Sequence, residues 1–361
     1  MNDILLTVSG TIPPDIEAQI ERGERPLTDY VAMARRFNAD LIDFTEARRQ
    51  TGIVGKLMEK IGGPKLMLAW TCFLLRKKYR VIFTDGEQIG LPLALFLKFF
   101  SFGARPRHLM IVHILSVGKK MIFLDWLRLQ SHIDTFFVYA TRQKEFIENR
   151  WDVPGERVVF TPFMVDADFF APDQAGQTQN LLPFEPGRRP IICSVGLEFR
   201  DYPTLIEAVK GLDIEVVIAA GSPWSKRADT TADQEIPDNV LVRRFTQFEL
   251  RDLYAQSAFM VMPLFNVEFQ AGVTALLEAM ALEKAIICSA TPGQTDVVIE
   301  GETGLYVPPE DAAALREAIV KLLDNPAEAA RMGRNGRQRI IDYMSLERYV
   351  ERLNQYVRQN Q

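Results

Sequence analysis

Between Phe269 and Asp311 the chain reads FQAGVTALLEAMALEKAIICSATPGQTDVVIEGETGLYVPPED, and these residue types suit the binding of a diphosphate and a diol. Gln270-Ala271-Gly272 reads as a loop ahead of a short apolar helix whose one acid is Glu278. The first N–H groups of a helix have no partner within it and carry partial positive charge, so a helix N-terminus suits phosphate. A carboxylate two turns further on accepts hydrogen bonds from a pair of hydroxyls. A strand follows, Ala285-Ile286-Ile287-Cys288-Ser289, and then a second loop, Pro292-Gly293-Gln294-Thr295, read as opening another helix. Two such units in succession would set two helix N-termini beside strand ends. Diphosphate together with ribose points to a nucleotide sugar.

Groups of this kind need a parallel sheet to hold them, and the rest of the chain supplies the pattern. Ile4–Ser9, Leu41–Phe44, Val81–Thr84, Leu109–Ile114 and Thr135–Ala140 read as strands, with helices at Pro26–Phe37 and Arg142–Asn149. After an aperiodic stretch rich in Pro, Gly, Gln and Asn the rhythm restarts. It gives strands at Ile191–Val195, Glu215–Ala219, Val240–Arg243 and Phe259–Pro263, and helices at Tyr202–Lys210 and Phe248–Gln256. Helices at Ala312–Leu323 and Ala327–Tyr343 and an amphipathic stretch at Leu346–Val357 close the chain. Strands alternating with helices imply parallel sheets covered on both faces, with ligands at the carboxyl ends of the strands.

The chain of 361 residues is long enough for two domains. The division expected is 1–168, a linker at 169–188, a second domain at 189–342, and a tail at 343–361 that packs back on the first. A net charge of −5 argues against a general nucleic-acid binder. Cys72, Cys193 and Cys288 stand far apart in apolar settings and read as buried thiols, and no Cys/His cluster of zinc spacing occurs. The opening MNDILLTVSG reads as a first strand rather than a signal peptide, and the longest apolar runs, of about ten residues, fall short of the ~20 that cross a bilayer. The protein is expected in the cytoplasm, peripheral at the inner membrane face. Residues 91–130 hold Lys98, Arg105, Arg107, Lys119, Lys120 and Arg128 against only Asp125, among the runs LALFLKFFSF and MIFLDWLRL. Such a mixture suits an anionic membrane surface, or equally a core helix with a solvated basic edge.

The second half resembles the donor-binding domain of glycosyltransferase family 4, the retaining transferases of GT-B fold. The likeness is carried by SVGLEFRDYPTLIEAV at 194–209, QAGVTALLEAMA at 270–281, PGQTDVVIEGETGLYVPPED at 292–311 and LLDNPAEAARMGRNGRQRI at 322–340, with VYATRQKEFIENRWDVPGERVVFTPFMVDADFF at 138–170. The first 130 residues carry little of it, as a family-variable acceptor domain would. The resemblance implies an α/β protein of two doubly wound Rossmann-like domains facing across a cleft, with a nucleotide-diphosphate sugar as donor substrate, no metal and no cofactor. It assigns Glu278, the second glutamate of an E-x7-E pair, to the ribose hydroxyls, and Gly196, Ala271, Gly272 and Val273 to the donor diphosphate.

Two departures accompany it. The first glutamate of the pair is Gln270, which can hydrogen-bond the transferred sugar but carries no charge; Glu268 stands near enough to substitute after a loop shift. Where the family has an Arg after the glycine, this chain has Leu197, leaving Arg200 to meet the phosphates or to sit as a solvated helix-start residue. In the first domain His113 ends the strand MIVHIL, either beside the reacting sugar as in the family or as a satisfied core histidine. Asp85 and Glu87 contact an acceptor hydroxyl or cap a helix, and Gly10 occupies the family's glycine loop. The apolar, basic first domain points to a lipid-linked or envelope glycan acceptor, with a soluble acceptor as the alternative. A nucleotide-sugar-binding protein with little transfer activity is the competing reading, motivated by Gln270 and Leu197; sugar-nucleotide epimerisation or hydrolysis is a third. Base selection falls to loops near Gly221-Ser222-Pro223 and Arg244-Phe245-Thr246.

Overall fold

The computed structural model describes residues 2–358 apart from Phe102, Ala104, Val117, 179–180, 185–186 and 222–234. Ser222 and Pro223, expected near the nucleotide base, lie outside the described residues. The chain divides into two units: residues 1–18, 27–162 and 349–361 form the first, residues 19–26 and 163–348 the second.

The first unit is built on six parallel strands, β1 (Ile4–Thr7), β2 (Asp40–Ile42), β3 (Val81–Thr84), β4 (Arg107–Val112), β5 (Thr135–Val138) and β6 (Val158–Phe160), in the order β2-β1-β3-β4-β5-β6. Every residue of β1, β3 and β5 is buried, as strands covered by helices on both faces require. The second unit also holds six parallel strands, β7 (Ile191–Val195), β8 (Glu215–Ala219), β9 (Val240–Arg243), β10 (Phe259–Met262), β11 (Ala285–Ser289) and β12 (Gly304–Val307), but in a different order, β12-β11-β10-β7-β8-β9. The order reverses at β1/β3 in one sheet and at β7/β10 in the other. Those reversals open the crevices where doubly wound sheets take ligands.

Four expectations are corrected. No helix follows Pro292–Thr295: residues 291–299 run as turns and bends. Gly293 lies against the main chain of Phe269, where a Cβ would fall 2.1 Å from its carbonyl oxygen, and the Tyr306 hydroxyl donates to the carbonyls of Gln294 (3.2 Å) and Val298 (3.3 Å). The segment is pinned as a loop, so a single long helix, Val273–Ala281, presents an N-terminus here. Second, the stretch expected as a linker at 169–188 belongs to the second unit, with Phe169, Phe170 and Leu181 in its core. Third, β6 and β12 were not anticipated. Fourth, the apolar run near residue 70 is the end of a longer helix, Gly52–Leu75, broken at Gly63.

In the basic stretch 91–130, Lys98, Arg105 and Lys120 are engaged internally. The helix Glu87–Phe100 buries Ile89, Leu91, Leu93, Ala94, Phe96 and Leu97. Lys98 donates to the carbonyls of Leu127 (2.8 Å) and Arg128 (3.2 Å), Arg105 grips Asp134, and Lys120 reaches Glu87. The core-helix alternative therefore describes LALFLKFF better than a membrane face does. All three cysteines are buried and free of disulfides. Among the described residues no helix is long and apolar enough to cross a membrane.

The last helix, Leu346–Arg358, crosses the division between units. From Tyr349 onward its residues pack within the first unit: the Tyr349 and Tyr139 hydroxyls lie 3.2 Å apart, and the Tyr356 ring meets Phe137 edge-on at 5.7 Å.

Candidate functional site

In the second unit the reversal point gathers Gly196, Arg200, Leu264 and Gly272. Gly196 follows β7 at φ 108°, and Arg200 pairs with Leu264, just past β10, through an isolated antiparallel bridge. The Arg200 side chain folds back, with Nε donating to the Val195 carbonyl (2.9 Å) and Nη1 to that of Glu198 (2.7 Å). A Cβ on Gly196 would fall 2.3 Å from Arg200 Nη2, and one on Gly272 would fall 2.9 Å from the same nitrogen and 2.8 Å from Met262 Sδ. Both positions also have positive φ, which glycine alone adopts cheaply. The guanidinium is thus held between the two glycine loops. It is 5% exposed, and burial pulls its pKa below the ordinary arginine value. The solvated helix-start alternative is excluded; Arg200 is a buried brace whose charge remains beside Gly272.

Gly272, in the left-handed region, precedes the helix Val273–Ala281, and no side chain caps that N-terminus. Its first N–H groups are therefore left for a ligand or water. Ala271 is held from behind, its carbonyl accepting from Gln294 Nε2. Gln270 Oε1 is buried without a hydrogen-bond partner, and Glu268, the alternative to it, is exposed. An unpaired buried amide oxygen carries a desolvation cost that a sugar hydroxyl would relieve. Glu278 is 6% exposed, and Oε2 accepts from the Tyr254 hydroxyl at 2.9 Å. Burial pushes its carboxyl up to about 7, against the lowering effect of that bond. A cavity of about 490 Å³ adjoins, lined by Ala290, Thr291, Pro292, Gln294, Glu300 and Tyr306.

The corresponding crevice of the first unit is closed by side chains. Asp85, past β3, accepts from Thr7 Oγ1 (2.5 Å) and the Ser9 N–H (2.5 Å) at the end of β1. Burial pushes its carboxyl above the usual range despite those bonds. Glu87 is buried, its two oxygens taken by Lys120 Nζ (2.6 Å) and the His113 N–H (2.9 Å). Burial alone would raise its pKa; the charges of Lys120 and His113 hold it below the ordinary value. Asp85 and Glu87, expected to contact an acceptor hydroxyl or cap a helix, tie the strand ends together, each of their oxygens accepting a hydrogen bond within the unit.

His113 does face outward. Its Nε2–H donates to the Asp85 carbonyl (2.9 Å), which leaves Nδ1 for an outside partner. The satisfied core histidine is His108, between Thr84 Oγ1 (3.0 Å) and the His132 carbonyl (3.1 Å), with its pKa driven down to about 4 by burial. Gly10 stands apart in an open turn with nothing near its Cβ direction.

The sequence reading missed Tyr254, Gln294, Lys120 and Asp29. Burial pushes the Asp29 carboxyl up against the Tyr30 N–H, and the charge of Asp85 adds to the rise. Each acts across 23 residues or more, so no local pattern marks them, although Lys120 stood in the basic run. Among the described residues no group of three His, Cys, Asp or Glu is placed to hold a metal ion.

Residues 183–339 match the family described as Glycosyl transferases group 1. The GDP-mannose-dependent alpha-(1-6)-phosphatidylinositol monomannoside mannosyltransferase of Mycolicibacterium smegmatis is 27% identical over 202 residues, which cover 52% of this chain and 53% of that protein. Matches to the first curated relatives span 36% to 53% of their lengths. Sucrose-phosphate synthase from Thermosynechococcus elongatus superposes with a TM-score of 0.72 at 20% identity, covering 99% of this chain and 98% of that one. Anabaena HepE, solved with UDP and glucose, gives 0.70 at 11% identity, covering 99% of each chain. At such identities the likeness is one of fold, and the fold is the α/β GT-B type.

Proposed function

We propose, from the match of residues 183–339 to glycosyl transferases group 1, that the chain moves a sugar from a nucleotide-diphosphate sugar to a hydroxyl acceptor with retention of configuration. The observation that carries this reading is the meeting of Gly196, Arg200 and Gly272 beside an uncapped helix that bears Glu278. The donor diphosphate lies against the N–H groups at Gly272 and Val273, with the Arg200 charge behind them. The ribose diol donates to Glu278, and the Gln270 amide meets the sugar. The bond from the anomeric carbon to the diphosphate breaks while the acceptor oxygen bonds to that carbon on the same face. The acceptor proton passes to the departing phosphate oxygen. Charge growing on that leaving group is stabilised by dipoles and a cation already in place, with no metal required by this scheme. On the first unit, His113 offers Nδ1 to a sugar or acceptor hydroxyl.

The acceptor is a lipid-linked or envelope glycan, a reading supported by the lipid acceptor in the printed name of the mycobacterial relative. The protein then works in the cytoplasm at the inner membrane face. One observation favours the binding-protein alternative: Gln270 puts an uncharged amide where a carboxylate would stabilise a cationic transition state.

A thermal-shift panel of UDP, GDP, ADP and their sugar conjugates tests the donor side. A ligand at 100 times its dissociation constant stabilises by about 2.7 kcal/mol, so one nucleotide series should raise the melting temperature and the others should not. No shift with any series sinks the reading. A shift without sugar transfer to any acceptor supports the alternative.

A further inference from the structure

The helix Gly52–Leu75 is interrupted at Gly63, where φ 77° and ψ −178° are accessible to glycine alone. Pro64, without an N–H, restarts the helix at the position where none is needed. The part before the break, residues 52–62, is about 16 Å long. Its inner side is accounted for: Gly55 is buried, Met58 packs against the core of the first unit, and Glu59 accepts from Arg48 Nε at 2.8 Å. Its outer side inverts the usual pattern of a surface helix. Ile53, Leu57 and Ile61, spaced four apart, are 87%, 54% and 70% exposed, and Val54 is exposed beside them. The other exposed side chains on this face are Lys56 and Lys60, and no acid shares it.

We propose that this ridge seats the protein on an anionic lipid surface, the three apolar side chains entering the headgroup boundary while Lys56 and Lys60 meet lipid phosphates. A helix lying in the interface carries this combination, with apolar residues down and lysine stems reaching out to charge. The charge argues for anionic lipid: two lysines without a carboxylate stand out on a chain of net charge −5. A second copy of the chain fits poorly. A single narrow ridge falls well short of the roughly 800 Å² per partner of a stable interface, and a two-fold pairing would bring lysines against lysines. The residues differ from the basic run at 91–130, where Lys98, Arg105 and Lys120 are used inside the fold. The inference does not depend on the transferase reading.

The test is flotation of the full-length protein with vesicles of phosphatidylcholine alone or mixed with phosphatidylglycerol, at low salt. The wild type should float with the mixed vesicles and not with the neutral ones. Lys56→Glu with Lys60→Glu should weaken partition about fivefold for each lysine. Ile53→Ser, Leu57→Ser and Ile61→Ser together should weaken it on the order of tenfold or more. Melting temperatures should hold, since exposed sites tolerate substitution. The proposal is overturned if wild type ignores anionic vesicles or binds neutral ones as well. It also fails if the serine variant floats as wild type does. A companion variant, Phe99→Ser with Trp126→Ser, alters the other exposed apolar group of this unit and should float normally; loss of binding there instead would move the surface elsewhere. Sedimentation velocity separates the remaining occupant: a dimer that only the serine variant dissolves, with flotation unchanged, would assign the ridge to self-association.

Discussion

The two sheets are both six-stranded and parallel, but they order their strands differently and finish their reversal points differently. At β7/β10 the crevice is lined by main chain: two glycines in the left-handed region, an uncapped helix, and an arginine folded onto carbonyls. At β1/β3 it is closed by carboxylates, with Asp85 bonded to Thr7 and Ser9 and Glu87 to Lys120 and the His113 N–H. A crevice built of N–H groups and glycine can take phosphates whatever they are attached to. One built of interlocked side chains leaves His113 exposed to address a ligand. The first arrangement suits a constant diphosphate, the second a partner that varies.

The sharpest break of this contrast is Gly272→Val. The added side chain meets Arg200 and Met262 at a positive φ, so a loss of about 3 kcal/mol of stability is expected. Nucleotide binding should vanish in calorimetry; wild-type melting and binding would mean that the glycine loops need not meet there.

Next comes the pH response of Glu278. Its folded pKa of about 7 lies above the ordinary glutamate value of 4.5, so the folded state holds its proton longer. The stability this confers is full below about 4.5 and is lost as pH rises through about 7, on the order of 3 kcal/mol in all. Glu278→Gln should flatten that part of the stability profile. A diol bonds best to the ionised form, so affinity for the nucleotide sugar should rise from pH 6 to 8 in wild type and stay level in the variant. A level wild-type profile would take Glu278 out of the donor site.

In the first unit, Lys120→Met strands the buried Glu87 carboxylate and should cost about 2 kcal/mol. Adding Glu87→Gln should restore part of it, and nucleotide affinity should not change. A change in affinity would show that the two crevices are not separable. Gly10→Ala gives the smallest effect, within about 0.5 kcal/mol, because nothing lies within 4 Å of the new methyl group. That near-silence, set against Gly272, would locate the glycine requirement in the second sheet.

Legibility followed the same divide. Backbone-built features have local signatures: the strands at 191–195, 215–219, 240–243 and 285–289 have the bounds expected from their apolar runs. The glycines and Glu278 stood out at helical spacing. The bond from Tyr254 to Glu278 and the hold of Gln294 on Ala271 join residues 24 and 23 positions apart, and periodicity carries no trace of such pairs. The helix expected after Pro292 failed for the same reason. Its local signals were sound, but contacts from Phe269 and Tyr306 decided the outcome. The outward ridge at 53–61 was passed over because spacing alone marks an apolar stripe without saying which side faces water.

The last helix bears on how such chains can be recombined. Tyr349, Leu353 and Val357 are buried, and residues 349–361 belong to the first unit although they lie farthest from it in the sequence. The first unit is therefore not a single cassette. A chimaera that exchanges only residues 1–162 inherits a foreign tail strap and must match Tyr139 and Phe137 to it. Grafting a new first unit onto this second unit requires a paired cut, one near 162 and one near 348, with both pieces drawn from the same parent.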